Sequence, residues 1–374
     1  MFKKIIRKLH LWLGLGSGLV VFIVSVTGCI YVFEEEINLL LQSGVRKNVT
    51  VQQSPIISVD SIESIIRSNF KGEMMNMNAT IYPKGDRAII SWVRDTERKY
   101  TAFVLNPYNG TIINEYPYSV NFWGIILKIH TSLYIPEIGS DIVAISTIVF
   151  VVMLITGLIL WMPASRKGYK QRFTIKWGAS FKRLNYDLHN VLGFYMSWIA
   201  IFVAITGLVM SYKWVESGIA WIADTAFVNT SVIQSTDNQL SKGTFEATYQ
   251  HIVDQNPNAL EFYVVYPSEK SPNYQVTCKT KKGKGYNRHD IYEISPADGQ
   301  IISSNLWVNK KSSEKISAAN YNIHVGAILG LPGKILAFFA SLVAASLPVT
   351  GFLVWRGRKK QLKKATVRKR SKAV

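Results

Sequence analysis

Four stretches are apolar over lengths that buried cores of water-soluble folds rarely need: Leu11 to Phe33, Ile142 to Trp161, Val191 to Tyr212 and Ile335 to Trp355. Each approaches or exceeds the roughly 20 residues that cross a bilayer as a helix. Between the first and second runs, and again between the third and fourth, the pattern shortens. Ser58 to Phe70 carries Ile62, Ile65, Ile66 and Phe70 at helical spacing. Strand-like runs follow at Ala88–Val93, Tyr100–Leu105 and Thr111–Ile113, the last two joined by the turn Asn106-Pro107-Tyr108-Asn109-Gly110. The later segment has the same order: a helix over Thr244–Val253, then strands at Glu261–Tyr266, Tyr274–Thr280 and Asp290–Ile294. There the turn Ser295-Pro296-Ala297-Asp298-Gly299 leads to Gln300–Ile302. Proline three residues before glycine suits a turn whose glycine takes a positive φ. Each segment is expected to form a small α+β module. Each then returns through a short apolar segment, Asn121–Tyr134 or Ala318–Leu331, with breaks expected at Pro136/Gly139 and Pro332-Gly333.

These similarities extend to register. Leu9-His10-Leu11-Trp12-Leu13-Gly14 is echoed by Leu188-His189-Asn190-Val191-Leu192-Gly193. Thr27-Gly28 begins 17 residues after His10, and Thr206-Gly207 begins 17 after His189. Likewise His130 precedes Thr156 by 26 residues and Trp161 by 31, as His324 precedes Thr350 and Trp355. A repeat of this length fixes an architecture before any single motif does. The expected fold is a membrane α-helical protein with four transmembrane helices in two parallel repeats and two α+β extracytoplasmic modules.

The formal charge of +19 changes the picture only through its location. About half of the 43 basic residues lie in three places. These are the start (Lys3, Lys4, Arg7, Lys8), the link between spans two and three (Arg166 to Arg183), and the tail (Arg356 to Lys372). Asp187 is the one acid among them. This positive-inside pattern puts both termini in the cytoplasm of a multi-pass protein, by expectation in the bacterial inner membrane. It explains the charge without nucleic acid, and the tail can touch anionic headgroups of the lipid bilayer. The expected division is 1–33, cytoplasmic start and first span; 34–119, first outer module; 120–161, interfacial helix and second span; 162–187, basic cytoplasmic loop. The second half follows with 188–212, third span; 213–317, second outer module; 318–355, interfacial helix and fourth span; 356–374, basic tail. Val26-Thr27-Gly28-Cys29 has the form of a lipoprotein cleavage box. Because the apolar run continues through Phe33, Cys29 reads instead as a small residue within the span. Cys278 falls in an outer module, so no disulfide with Cys29 is expected.

Four of six histidines occupy the repeated positions. Topology puts His10 and His189 at the cytoplasmic ends of spans one and three, and His130 and His324 at the outer ends of spans two and four. No span carries two, so a bis-imidazole site must bridge the repeats: His10 with His189, and His130 with His324. Zinc would call for more ligands and a local motif, and a proton relay for ionisable groups in mid-membrane. Haem suits the set, because neutral imidazoles fill both axial positions of a macrocycle lodged between helices. Gly14, Gly16, Gly18 and Gly193 would give a flat ring room. Trp12, Trp123, Trp161, Trp198 and Trp355 either line such a path or form an interfacial aromatic belt. His251 and His289, outside the repeated positions, read as surface residues.

At these residues the chain resembles the PepSY-associated transmembrane family, which includes iron-regulated inner-membrane proteins and ferric-siderophore reductases. The resemblance rests on Leu-His-x-x-Leu-Gly at 9–14 and 188–193, on Thr-Gly at 27, 156, 206 and 350, and on the two Pro-x-x-Gly modules. It covers almost the whole chain up to the basic tail, and implies PepSY-like modules, b-type haem in the membrane (two by the count of histidine pairs) and reduction of a ferric-siderophore-like chelate on the periplasmic side. By position, His10, His130, His189 and His324 would be the axial ligands, and the chain would be a haem-dependent ferric-chelate reductase. Some relatives carry a fused flavoprotein domain. No such domain is expected within the 374 residues, so the resemblance leaves the cytoplasmic electron donor open. PepSY modules also suggest an alternative: a non-enzymatic membrane protein that binds a periplasmic peptide, protease or envelope partner. A transporter of intact chelate is disfavoured, since the spans show no polar mid-membrane site.

Overall fold

The computed structural model of the chain describes residues 1–41, 48–118, 121–163, 169–226, 243–281 and 287–370. Arg166, Lys167 and Lys372, and the tail side chains from Lys360 on, lie outside the described residues. The chain divides into two compact units. One comprises residues 1–32, 126–216 and 320–374, the other residues 33–125 and 217–319.

The first unit is helical. Its long helices are α1 (Phe2–Tyr31), α5 (Gly139–Trp161), α7 (Gly193–Ser211) and α11 (Leu331–Arg370), numbered in chain order with the shorter helices given below. Four helices, Phe2–Leu41, Gly139–Trp161, Phe181–Ser211 and Leu331–Lys359, are long and apolar enough to cross a membrane. α1 packs against α5 and α11, and α7 packs against the same two, so α1 and α7 face each other diagonally. Outward-facing Leu19, Phe202 and Phe339 are exposed in the bare chain, where hydrocarbon would cover them.

Boundaries differ from the sequence expectation for local reasons. α1 begins ahead of the apolar run and carries Lys3, Lys4, Arg7 and Lys8 on its first turns. It is followed by α2 (Glu34–Leu41). α4 (Phe122–Ser132) ends where Leu133 and Tyr134 take φ of 52° and 59°. α6 (Phe181–Asp187) passes into a π-helical turn, Leu188–Leu192, ahead of α7. After α7, α8 spans Lys213–Ala226. α10 (Ser312–His324) stops at Gly326, whose φ is 76°. The chain therefore breaks ahead of Pro332, not at it. Pro332 sits in the first turn of α11, where its missing N–H has no helical partner to lose.

The second unit is one antiparallel sheet with helices on it. Its strands are β1 (Met74–Ile81), β2 (Ile89–Asp95), β3 (Tyr100–Leu105), β4 (Ile112–Pro117), β5 (Ala259–Val265), β6 (Tyr274–Lys281), β7 (Asn287–Ile294) and β8 (Ile301–Asn305). The order is β4-β3-β2-β1-β5-β6-β7-β8, so the expected separate modules share a continuous sheet. They join along β1 and β5, with Asn78 opposite Val265 and Ile81 opposite Phe262. Helices α3 (Val59–Asn69) and α9 (Phe245–Gln255) supply Val59, Ile62, Ile66, Phe245, Tyr249 and Ile252 to a shared core with Met77, Phe103, Phe262, Val264 and Tyr266. Ser58 and Thr244 cap the two helices through their hydroxyls. Polar bonds cross the join: Val59 N–H donates to Glu246 at 2.7 Å and the Tyr266 hydroxyl to Val59 O at 3.0 Å. Gly110 and Gly299, in the two proline turns, take φ of 71° and 65°.

Candidate functional site

Each histidine in the repeated positions meets a Thr-Gly pair. His10 on α1 reaches Thr156 on α5, with Nδ1 2.9 Å from the hydroxyl. His189, on the π-helical turn before α7, reaches Thr350 on α11 at 2.9 Å. His130 on α4 lies 3.2 Å from Thr27 on α1, and its Nδ1 also contacts Val24 O at 2.9 Å. His324 on α10 lies 3.1 Å from Thr206 on α7, with Val203 O at 2.9 Å. Every partner lies in the same half of the sequence as its histidine.

These contacts assign the imidazole tautomer. A threonine hydroxyl has one proton, and all four spend it on their own helix: Thr27 on Ile23 O at 2.8 Å, Thr156 on Val152 O at 2.8 Å, Thr206 on Phe202 O at 2.7 Å and Thr350 on Ser346 O at 2.9 Å. The hydroxyl oxygen is then left as an acceptor. Each histidine therefore carries its proton on Nδ1 and donates it, leaving the Nε2 lone pair free to bind a metal. The glycine beside each threonine gives the ring its space. A Cβ on Gly28, Gly207 or Gly351 would stand 3.1, 3.2 or 3.1 Å from Cε1 of His130, His324 or His189, and one on Gly157 3.4 Å from Cε1 of His10.

The four histidines form two pairs, each drawing one member from each half. The rings of His10 and His189 have centroids 6.5 Å apart and planes at 84°. Those of His130 and His324 are 6.2 Å apart at 65°. Two in-line metal–nitrogen bonds of about 2 Å, plus about 1 Å from each Nε2 to its ring centre, require about 6 Å. Both separations suit one metal between two imidazoles. Among the described residues no group of three or more His, Cys, Asp and Glu gathers to hold an ion, so each pair offers two protein ligands.

The spacing of the pairs is set along α1. His10 belongs to one pair and Thr27 holds His130 of the other, 17 residues further on. An ideal helix rises about 26 Å over that length.

Residues 7–358 match the PepSY-associated TM region. The chain belongs to that family of membrane proteins. No curated protein matches the sequence. Within this PepSY-associated protein the Thr-Gly pairs, visible in the sequence only as landmarks, acquire a physical role as imidazole holders.

A cavity of about 370 Å³ surrounds the first pair. Its walls include Gly14, Gly18 and Gly193, whereas Gly16 lies off it and a Cβ there would meet nothing within 4 Å. Trp161 and Trp355 line it. Trp12 and Trp198 are exposed at 69% and 56%, and so face away from it. Trp123 is buried in the other unit, where its indole donates to Asn38 at 3.0 Å.

Two further residues were not singled out by the sequence. Asn185 and Asn320 each stand four residues before a histidine, one helical turn away. Asn185 donates to Thr350 O and Asn320 to Thr206 O, both at 3.0 Å. Ile6 and Ile126 hold the corresponding places before His10 and His130, so the clamp exists only in the second half. The identical offset was the available signal. Outside the pairs, His251 contacts Gln255 at 2.7 Å on an exposed face, while His289 is half-buried on β7. Of the two cysteines, Cys29 is buried in α1 and Cys278 in the sheet core, both free thiols.

Proposed function

We propose that the chain is a di-haem membrane oxidoreductase, passing electrons from the cytoplasmic side to a ferric-siderophore-like chelate on the periplasmic side. The observation that carries this reading is the pair of bis-histidine arrangements, each with its Nδ1–H committed to an acceptor and its Nε2 left for iron. The residues fit haem b: imidazoles spaced for one metal, no third protein ligand among the described residues, and around the first pair a cavity within the usual range of roughly 300–1,000 Å³ for such sites. His10 with His189, and His130 with His324, would hold the two groups. Bound there, haem would supply reversible one-electron chemistry at iron.

The chain's own contributions are positional. Thr27, Thr156, Thr206 and Thr350 orient the imidazoles and keep them neutral at Nε2. The glycines beside them admit the rings, and away from the ends of the spans the stretches 11–33, 142–161, 191–212 and 335–355 contribute an apolar surround without charged side chains. With two ligand pairs about 26 Å apart along α1, an electron path would cover most of a hydrocarbon layer about 30 Å thick. Both termini would lie in the cytoplasm and the sheet-bearing unit outside, following the basic residues. A chelate that holds Fe(III) through hard oxygen donors holds Fe(II) less firmly, so reduction would release the metal.

Protein purified in detergent after haem-replete expression should show a b-type Soret band and two haems per chain. His10→Ala and His324→Ala should each remove about one. A colourless wild type would sink the reading and favour the alternative, a partner-binding membrane protein without redox chemistry.

A further inference from the structure

We infer that the cavity at His10 and His189 ends in a carboxylate-binding pole, built from the indole N–H of Trp161 with Arg7, Arg172 and Arg358, and that it takes a planar macrocycle with its acidic side arms at that end. This rests on the proposed haem reading and adds to it the orientation and ionic class of the ligand. The deciding observation is Trp161. Its side chain is 7% exposed, it stacks on Phe194 with centroids 3.8 Å apart, and its Nε1 is buried with no hydrogen-bond partner. A buried N–H without an acceptor is unfavourable, an indole can only donate, and Trp161 lines the cavity, so an acceptor on a ligand there would satisfy it.

Charge points the same way. The cavity wall contains Arg7, Arg172 and Arg358 and no aspartate or glutamate. Arg7 lies one turn before His10 on α1, and Arg358 lies two turns beyond Gly351 on α11. Arg172 is half-buried and donates through Nη1 to the Trp161 carbonyl, which fixes the backbone beside the indole. At the other end the wall is apolar, with Val21, Phe150, Leu154 and Leu347. The ligand is therefore an amphiphile: an apolar face toward mid-span and carboxylates toward the arginines, where guanidinium makes paired, charge-assisted bonds.

The test compares two porphyrins on the full-length protein stripped of haem in detergent. One is iron protoporphyrin with free carboxylates, the other its dimethyl ester, and binding is read from Soret titrations. The expected result is a wild-type preference for the free acid of tenfold or more at one of two sites. Trp161→Phe combined with Arg7→Gln and Arg358→Gln should cut that preference to under threefold while the ester still binds. The acid-to-ester ratio is internal to each protein, so it does not depend on how much of a variant folds. Equal wild-type binding of acid and ester at both sites would overturn the pole while leaving the haem reading intact, and so would an undiminished preference in the triple variant. Failure of both porphyrins to bind would overturn the haem reading and the pole together.

Discussion

The sharpest consequence of the geometry concerns which threonine matters most. A Thr→Val substitution removes the hydroxyl and keeps the shape, so it isolates the acceptor that each imidazole uses. For His10 and His189 the hydroxyls of Thr156 and Thr350, both at 2.9 Å, are the hydrogen-bond partners of Nδ1. For His130 and His324 the hydroxyl is the longer contact, at 3.2 and 3.1 Å, and a carbonyl at 2.9 Å remains after substitution. Loss of an outer partner that orients a metal-bound histidine typically costs 10- to 100-fold in metal affinity, about 1.4–2.7 kcal/mol. Thr156→Val and Thr350→Val should therefore weaken haem binding at the first pair by about tenfold or more. Thr27→Val and Thr206→Val should stay within about threefold at the second pair, because Nδ1–H keeps an acceptor. The assay is haem per chain after gel filtration, with Soret titration of stripped protein. Thr→Ser at the same positions should restore binding. Equal losses at all four positions, or larger ones at Thr27 and Thr206, would refute the tautomer argument.

Other perturbations follow from distances and burial. Gly351→Ala and Gly28→Ala place a Cβ 3.1 Å from an imidazole carbon and should lower haem retention more than Gly157→Ala, at 3.4 Å, in the same gel-filtration assay. Cys278 is fully buried, and burial followed by the charge of Asp290 pushes its thiol up to about 12, so maleimide should label it only after denaturation; labelling of the native protein at the unfolded rate would contradict the core assignment. The pKa of His289 is held below its ordinary value, first by burial and then by Lys279 and Lys310. The unfolded chain then binds the extra proton first as pH falls below about 6.5. Its neutral form therefore contributes stability that is full above that pH and lost as pH falls toward the lowered folded value. The thermal midpoint of the wild type should drop more between pH 7 and pH 5 than that of His289→Gln; parallel drops would show that His289 does not titrate this way.

The spans, the two modules and the histidine pairing partners were legible because each rests on a pattern that local chemistry enforces. Turn glycines 110 and 299 are the same kind of case. β1 was not legible: Met74-Met75-Asn76-Met77-Asn78-Ala79-Thr80-Ile81 is poor in β-branched residues, and its strand character comes from pairing on both sides. The single sheet was hidden for a related reason, since the β1–β5 join links residues nearly two hundred positions apart. Nor could the sequence separate Trp161, at the cavity wall, from Trp12, facing outward, because both stand at one end of an apolar run. The π-helical turn at His189 leaves no compositional mark either.

The way the bonds are distributed says how the two halves depend on each other. Every histidine is held by a threonine of its own half, so each half can orient its ligands alone. Every pair, however, takes one histidine from each half, so a centre exists only once α1 and α7 face each other across the ring formed with α5 and α11. A group bound between two imidazoles would then act as a rivet across the halves, stabilising the assembled bundle in proportion to its affinity. The Asn185 and Asn320 clamps add a second fixing point for His189 and His324 alone. In both pairs, then, the helical turn that carries the second-half histidine has an extra bond to the helix of its threonine, while the imidazole contacts themselves match within each pair.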